Sequence, residues 1–288
     1  MNTPTLVDMV QGSCDALREA GVPDPQILWL LGTGTGTLPG SFQSHREFPL
    51  NGIEDLPTPW SDRVLHTGTL AGATVWMLDD GPDDPRLDQA IDAHGWARPL
   101  PCWLAAACGA TLCVHTSAGI TLHDKDPDRG LDVGTLALTQ DHINLSGHTP
   151  LHGIGPNTLG PLFPDQTRLH HSGLREKALE QARKLGIQVN EAIVACTLGP
   201  SLSTPAEMRW YEAAGAAVAV QDLAAPLIAS AHAGLAMLSI VALTDSGSNS
   251  MRMREILERT EACAPALEDL LLGCAEDFAV LANELEPV

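Results

Sequence analysis

The stretch ACTLGPSLSTPAE, residues Ala195–Glu207, decides how the rest of the chain is interpreted. An apolar run ends at Gly199-Pro200, and three small hydroxyl residues follow. Pro205 then stands where a helix can begin, because the first turn of a helix does not need its missing N–H. A strand, a hydroxyl-rich loop and a helix start are the parts of a small-molecule site at the end of a sheet strand. The alternative is an ordinary connection rich in turn residues.

Apolar periodicity and turn residues predict alternating strands and helices on both sides of this stretch. Strands are predicted at 27–31, 111–114, 135–138, 191–196, 215–220 and 238–243, with a hairpin over 67–78 and a turn at 115–119. Helices are predicted at 5–20, 174–185, 206–215, 225–233 and 254–285, with a further helix ending over 102–108. The last helix is interrupted at Pro265 if that proline ends a helical segment. This alternation is typical of an α/β fold.

Charge and length exclude several functional classes. The chain has 288 residues and a formal net charge of −20 at pH 7. Nucleic-acid binding needs basic clusters that displace counterions, and the sequence has none. An anionic membrane surface would also repel such a chain. With no linker and no internal repeat, we expect one domain over residues 1–288 and a small-molecule ligand, without nucleic acid or membrane.

Cysteine usage and hydropathy favour a cytoplasmic protein. The seven cysteines form no C-x-x-C pair, and several stand in apolar surroundings, as buried thiols do in a reducing compartment. The N-terminal residues lack the basic segment and apolar core of a signal peptide. No apolar run approaches the roughly 20 residues that span a bilayer.

The loop Gly32–Gly36, sequence GTGTG, follows a short apolar strand. Glycines there let backbone N–H groups approach an anion, and Thr33 adds a hydroxyl. A tight turn is the alternative explanation. The Walker lysine of ATP-binding loops and the ribose-binding acid of dinucleotide folds are both missing at their expected places, which excludes ATP and NAD.

Five segments in the same order resemble the trimeric purine nucleoside phosphorylases and the related methylthioadenosine phosphorylases. The central stretch resembles the run that walls the base pocket in that family. The other four are LLGTGTG (30–36), TSAG (116–119), DHINLSGHTPLHG (141–153) and GLAMLSIVALTD (234–245). The resemblance implies an α/β fold with a mixed, partly barrel-like central sheet flanked by helices. It also implies a homotrimer with a subunit contact near residues 141–153.

The resemblance also assigns roles to individual residues. Asp245 and Ser203 are the catalytic candidates, which would recognise the base and stabilise it as it leaves. The candidates for binding substrate are Thr33, Thr116, Ser117, Ala118, Gly119, Gln221, Asp222 and Thr244. The family implies no metal and no cofactor, with phosphate as a co-substrate.

Several positions depart from the family pattern. Gly81 and Asp83 align with an arginine and a histidine that hold phosphate and ribose, and Asp222 aligns with a serine that helps hold phosphate. A carboxylate repels phosphate where a guanidinium would bind it. Met253 replaces a histidine that meets the ribose 5′-hydroxyl, and Arg86 is the cation nearest in sequence to the changed positions. We therefore expect a weak phosphate site.

Asp245 and Ser203 favour a 6-amino purine or a 5′-substituted nucleoside. An ionised carboxylate only accepts hydrogen bonds, so it can face the amino group of adenine but opposes the O6 atom of hypoxanthine. The methylthioadenosine branch of the family has serine and aspartate at these two positions. The alternative is that Asp245 merely caps the loop that follows it.

Three functions stay open at the level of sequence. The first is phosphorolysis of a purine nucleoside. The second is purine binding by a homologue that has lost catalysis. The third is hydrolysis, in which a carboxylate such as Asp83 or Asp222 activates water. His142 lies in the contact-forming run and is left out of the chemistry, and the spacing of the other histidines between 148 and 171 fits no compact zinc template.

Overall fold

Among the residues that the structure describes, nine strands form one sheet, and five of them close into a barrel. This computed structural model describes residues 5–32, 35–53, 56–57, 60–80, 95–122, 130–247 and 253–285. The strands are β1 (Ile27–Leu31), β2 (Gln43–Pro49), β3 (Val64–Leu70), β4 (Ala73–Asp79), β5 (Leu112–Thr121), β6 (Leu136–Asn144), β7 (Val189–Thr197), β8 (Val218–Gln221) and β9 (Ala236–Asp245).

The strand order is β2-β3-β4-β1-β5-β8-β7-β6-β9, and β9 returns to pair with β5. The closed part therefore consists of β5, β8, β7, β6 and β9. Its pairing is mixed, because β5 runs parallel to β9 but antiparallel to β8. The chain is a single α/β domain around this barrel, which confirms the predicted fold class. That this domain covers all of residues 1–288 stays a prediction.

Helices cover the sheet in two layers. They are α1 (Leu6–Glu19), α2 (Leu100–Ala107), α3 (Ser172–Leu185), α4 (Pro205–Ala213), α5 (Ala224–His232), α6 (Met253–Gly273) and α7 (Ala275–Glu284). Apolar residues of α1, α2 and α5 pack with Leu28 and Leu30 of β1 in one core cluster. Those of α3, α6 and α7 pack with Trp29 and Leu31 in the other. Successive strand residues face opposite sides, so β1 is buried on both faces, and this explains its unbroken apolar sequence.

Several sequence-based boundaries are confirmed, and their local chemistry explains them. Thr5 caps α1 in a capping box with Asp8, and Thr204 caps α4 in the same way with Glu207. Gly186 ends α3 in the left-handed conformation, with φ of 70°. The hairpin over 67–78 is also present, as β3 and β4.

Two predicted strands were too short. The turn predicted at 115–119 is wrong, because β5 continues to Thr121 while β9 pairs with it from Leu112 to Ile120. β6 likewise continues past residue 138 to Asn144, since β7 pairs with it up to Cys196. In both cases a partner distant in sequence supplies hydrogen bonds that local propensity does not reveal.

The break in the C-terminal helix was also misplaced. Pro265 lies inside α6, and the helix axis is interrupted at Cys274 instead. Burial of residues on both sides of the proline, including Cys263 and Leu267, holds the two halves in one helix. A helical proline costs about 3 kcal/mol, which the burial of two or three large apolar side chains offsets.

All seven cysteines are free and buried, in agreement with the thiols expected from the sequence. In the described ranges, no helix is both long and apolar enough to cross a membrane.

Gly119 permits the close approach of strands inside the barrel. A Cβ atom at this position would lie 2.5 Å from Val241 Cγ1, 3.0 Å from Val220 Cγ2 and 3.1 Å from Val218 Cγ1. Those valines belong to β8 and β9, which both pair with the C-terminal part of β5. The absence of a side chain at Gly119 therefore allows the barrel to close at this level.

We predict that Gly119→Ala lowers the free energy of unfolding by about 1–3 kcal/mol, because the added methyl overpacks the barrel. The matched control is Gly12→Ala in α1, where no atom lies within 4 Å of the new Cβ. That change should raise stability by about 0.5–1 kcal/mol, as alanine does in helix interiors. Urea unfolding of both variants checks the opposite signs, and equal effects would contradict the packing argument.

Candidate functional site

The C-terminal half of β5 is the element around which the sequence-predicted site residues gather. β1 and β9 flank β5 in parallel, and β8 pairs with its last residues, Ile120 and Thr121. In parallel arrays, ligands bind beyond the carboxyl ends of the strands. The residues that follow β1 and β9 therefore lie beside this part of β5, and β8, which runs antiparallel to β5, ends beside it as well.

The start of the glycine-rich loop is tied to β5. The Gly32 N–H donates to Thr116 Oγ1 at 2.8 Å, and Thr35 Oγ1 donates to the Gly32 carbonyl at 2.8 Å. Thr116 is only 2% exposed. The Gly32 N–H therefore has a partner within the protein, whereas the Thr116 hydroxyl accepts this bond and can still donate its own proton. Substrate binding by Thr116 stays a prediction. Thr33 and Gly34 lie outside the described residues.

The next three residues of β5 differ in what they present. Ser117 Oγ is buried and has no hydrogen-bond partner in the described part of the chain. Ala118 is exposed, and Gly119 is buried inside the barrel. A buried hydroxyl without a partner is costly, and a ligand that accepts or donates a hydrogen bond there would satisfy it. Ser117 is thus the hydroxyl of the TSAG segment best suited to bind a ligand.

Thr244 and Asp245 end β9 beside β5, where Asp245 is in register with Ile120. They are 2% and 5% exposed. Thr244 Oγ1 donates to the Gly119 carbonyl at 3.5 Å. Asp245 Oδ1 accepts the N–H groups of Ser246 and Gly247 at 2.7 and 3.1 Å. The loop cap considered for Asp245 is therefore present, and any role in base recognition must coexist with it.

The central stretch is fixed by the residues that follow β8. Asp222 has a left-handed backbone, with φ of 57°, and its Oδ1 accepts the Gly199 N–H at 3.2 Å. Gln221 Nε2 donates to the Ser201 carbonyl at 2.7 Å. A Cβ atom at Gly199 would lie 2.8 Å from Asp222 Oδ2, so a side chain there would displace this carboxylate. Asp222 and Gln221 thus hold the loop between β7 and α4.

Ser203 precedes the N-cap of α4 and lies close to the aromatic residue of that helix. Its Oγ is 3.3 Å from Tyr211 Oη. A Cβ atom at Gly247 would overlap Met208 Sδ and lie 3.4 Å from Ile120 Cγ2. The loop after β9 therefore packs against α4 and the end of β5, which brings the Ser203 and Asp245 segments into one region.

Several positions that sequence analysis singled out are not described. Gly81, Asp83 and Arg86, the altered phosphate-site positions, fall in the range 81–94 outside the described residues, as Thr33 does. Met253 begins α6, but its side chain is likewise not described.

A buried charged cluster at the carboxyl end of β4 was missed by sequence analysis. Asp80 Oδ2 lies 3.0 Å from His115 Nε2 and 3.4 Å from Arg98 Nη2. The Asp80 and His115 side chains are each 3% exposed. Burial alone would raise the pKa of the Asp80 carboxyl. The neighbouring Arg98 and His115 lower it by more than burial raises it, so the pKa lies below its ordinary value. The sequence offers one sign of this cluster, since a charged or titratable residue follows each of two apolar strand segments.

A second pair of side chains far apart in sequence meets beside β6. His142 Nδ1 lies 3.0 Å from His170 Nε2. Burial lowers the pKa of His142, and burial together with the neighbouring His142 lowers the pKa of His170 to about 4. Both shifts favour the neutral form of the imidazoles. Spacing along the chain gave no sign of this pair, because the fold brings residues from β6 and from the segment before α3 together.

The match to a family model decides the evolutionary assignment. Residues 58–276 match the model described as the phosphorylase superfamily. The chain belongs to the phosphorylase superfamily. The matched residues include all five barrel strands and every candidate site residue except Thr33.

Individual relatives agree with this membership over nearly the whole chain. Purine nucleoside phosphorylase 1 of Geobacillus stearothermophilus is 25% identical over 260 residues, which are 88% of this chain and 91% of that protein. The purine nucleoside phosphorylase of Mycobacterium leprae is 29% identical over 290 residues, 96% of this chain and 100% of that protein. These identities make the chain a divergent member of the superfamily.

A solved structure supports the fold. The Schistosoma mansoni purine nucleoside phosphorylase in complex with adenosine superposes with a TM-score of 0.82 at 20% identity. The match covers 95% of this chain and 98% of that one. At this identity the likeness concerns the fold, so the superfamily barrel is conserved while many of its side chains differ.

We predict that Asp80→Asn lowers the free energy of unfolding at pH 7 by about 3 kcal/mol, because it removes the charge that holds Arg98 and His115. The folded-state pKa of Asp80 is lowered, so its contribution is present above the ordinary carboxyl pKa of about 3.9. It is lost as pH falls through the folded-state value. The difference between wild type and variant should therefore shrink below about pH 3.9.

The matched control for this prediction is Asp79→Asn. Asp79 is the neighbouring residue, its side chain is 60% exposed, and it lies 3.5 Å from Arg63. An exposed pair contributes at most about 1 kcal/mol, so this variant should remain close to wild type. Denaturant unfolding across pH measures both. Equal losses of unfolding free energy in the two variants would contradict the prediction that the buried Asp80 cluster stabilises the fold more than an exposed ion pair does.

Proposed function

We propose that this protein cleaves the N-glycosidic bond of a purine nucleoside and transfers the pentosyl group to phosphate. One observation carries the proposal: in this superfamily barrel, the hydroxyl and carboxylate residues that are candidates for binding substrate lie together around the C-terminal half of β5. The reaction needs no cofactor, since phosphate is the co-substrate of phosphorylases. The solved relatives superposed on the chain include one in complex with adenosine and one in complex with inosine.

Two charges develop during the reaction, one on the leaving base and one on the pentosyl carbon. The site has candidate residues to contact each of these two groups. The base gains negative charge as it leaves, and a proton or hydrogen-bond donor near its ring lowers that cost. The pentosyl carbon becomes cationic and is attacked by the nucleophile. Ser117, whose hydroxyl has no hydrogen-bond partner among the described residues, is our candidate for contacting the anion or the ribose. Ser203, Thr244 and Asp245 are our candidates for the base side.

We infer that phosphate binds weakly. Asp222 holds the Gly199 N–H with one carboxylate oxygen, so its charge is kept beside the central loop. Two like charges about 4 Å apart repel by about 4 kcal/mol at an effective dielectric of 20. A single neutral hydrogen bond nets only about 1 kcal/mol and does not offset that.

Asp222→Asn should strengthen phosphate binding about tenfold. Asparagine removes the charge, keeps an oxygen that accepts the Gly199 N–H, and tolerates the left-handed backbone. Calorimetric titration with phosphate measures the change. The control is Asp165→Asn, because Asp165 also caps a turn, at Thr167, but is exposed and outside the site. Unchanged affinity in Asp222→Asn would remove Asp222 from the phosphate site.

The decisive test of the proposed function is the dependence of cleavage on phosphate. Adenosine, methylthioadenosine and inosine are incubated with the protein over a range of phosphate concentrations, and the sugar product is identified. Pentose 1-phosphate that increases with phosphate supports phosphorolysis. Free pentose at a rate independent of phosphate would make the protein a hydrolase, and binding without turnover would make it a purine-binding homologue.

We further propose that the pocket prefers a 6-amino purine. The carboxylate of Asp245 accepts an N–H from the adenine amino group but opposes the O6 atom of hypoxanthine. Asp245→Asn should reverse the preference, because asparagine can donate to O6. Its amide oxygen can still accept the N–H groups of Ser246 and Gly247, so the loop cap is retained.

Calorimetry with adenine and hypoxanthine, on wild type and Asp245→Asn, checks this preference. We expect at least a tenfold change in the ratio of the two affinities, equivalent to about 1.4 kcal/mol. Asp245→Ala, which loses the cap as well, separates the structural effect from recognition. Tighter hypoxanthine binding by the wild type would refute the assignment.

The assembly and location follow from the resemblance. We propose a homotrimer in the cytoplasm, with the subunit contact near the segment 141–153. Light scattering should give a mass about three times the 30.5 kDa of one chain. A mass near that of a single chain would contradict the trimer.

A further inference from the structure

We propose that His142, His170 and Asp141 form a binding site for a divalent transition-metal ion of the zinc class, apart from the candidate nucleoside site. The three residues each offer a ligand atom, and these atoms all lie within 4.8 Å of one another. Two imidazoles and a carboxylate are a donor set that suits zinc and its neighbours in the transition series. The inference does not depend on the proposed function.

The distance between the two facing nitrogen atoms is the main geometric argument. His142 Nδ1 and His170 Nε2 are 3.0 Å apart, and the rings are inclined by 73°. Zinc–nitrogen bonds of about 2.0–2.1 Å in a tetrahedral site place two ligand nitrogens about 3.3 Å apart. A movement of a few tenths of an ångström would therefore admit the ion between the rings.

The two facing nitrogen atoms are close enough for one ring to donate an N–H to the other in the absence of a metal. An ion takes both facing lone pairs once the donating ring carries its proton on its other nitrogen. That tautomer shift leaves the charge of both rings unchanged, and neutral imidazole is the form that binds metal.

The surrounding residues fix the ligands in place. Asp141 Oδ1 accepts the backbone N–H of His142 at 2.8 Å. This hydrogen bond orients the carboxylate beside the imidazole of His142. His170 is 8% exposed and forms a bridge to Met237 of β9, so its position is set by the sheet. Ligands held by second interactions of this kind bind metal better than free side chains do.

Two arginines, Arg168 and Arg175, line the cavity beside the cluster, and the second has partners of its own. Arg175 donates to the His170 carbonyl through Nη1, and its Nε lies 2.6 Å from Glu191 Oε1, which offsets its charge. His171 is not a ligand, since its Nδ1 accepts the Leu174 N–H as the N-cap of α3.

In the single chain the site opens on one side, next to the segment 141–153 where we propose the subunit contact. A cavity of about 630 Å³ lies beside the cluster, and its lining includes Asp141, Thr167, His170 and Ser172. Three protein ligands leave a coordination position for water on that side, which is the arrangement of an open rather than a closed zinc site. An ion there would connect β6 to the segment that precedes α3.

A second cluster supplies a matched comparison. His45 Nε2 lies 3.1 Å from His66 Nδ1, with Glu47 Oε1 3.8 Å from the latter. The planes of these two imidazoles are inclined by only 16°. None of the three residues of this cluster is buried, whereas His170 of the other cluster is. We therefore assign metal binding to the cluster of His142 and not to this one.

The test is a titration of the metal-free full-length protein with Co²⁺, followed by visible absorption, with Zn²⁺ added afterwards as competitor. We expect one equivalent of cobalt to give ligand-field bands, which zinc then abolishes. His142→Asn and Asp141→Asn should each weaken cobalt binding at least tenfold, a loss of about 1.4 kcal/mol. His45→Asn and His152→Asn, the latter at an exposed histidine, should bind as wild type does.

The two ligand variants make the test robust to folding defects. Asp141 is exposed, so Asp141→Asn should fold normally, and circular dichroism checks each variant. No ligand-field bands in the wild type would overturn the proposal. So would unchanged binding in both His142→Asn and Asp141→Asn, or a loss confined to His45→Asn.

Discussion

The parallel pairing of β5 with β9 is the constraint on which the rest of the structure depends. It runs from Leu112 opposite Ala236 to Ile120 opposite Asp245 and closes the five-stranded barrel. Without it the sheet would end in two open edges, each with unpaired backbone groups. The closure needs a residue without a side chain at Gly119, where β5 passes close to valines of both flanking strands.

The same closure builds the candidate site. It extends β5 beyond its apolar segment, so that Thr116 to Gly119 become strand residues paired with β9. Side chains that could have been free ligands then acquire structural partners: Thr116 holds the Gly32 N–H, and Asp222 holds that of Gly199. Positioning by such contacts is what a preorganised site requires, since groups already fixed need no reordering when substrate binds.

Charge sets the character of the molecule as a whole. The formal net charge of −20 works against any anionic substrate at long range. Locally, the buried cluster of Asp80, His115 and Arg98 compensates its own charges within the fold. Phosphate binding therefore depends on the few hydrogen-bond donors present at the site. The positions at which this chain differs from the family's phosphate site thus directly affect the reaction.

Much of the fold could be predicted, and for identifiable reasons. The apolar segment of β1, the helix start at Pro205 and the helix end before Gly186 are local signals, and each was predicted correctly. The continuation of β5 and β6 could not be predicted from propensity, because it depends on hydrogen bonds to strands more than forty residues away. The intact helix at Pro265 depends on burial against other elements.

For the site, residue types and order along the chain were available from the sequence, but contacts were not. The sequence by itself determined the family resemblance, the acidic charge and the local helix and turn signals, because these depend on composition, on the order of motifs and on residues close together in the chain. Only the tertiary structure decided that Asp80 meets His115 and that His142 faces His170. Those pairings arise from sheet register and barrel closure, which are set by the packing of distant segments.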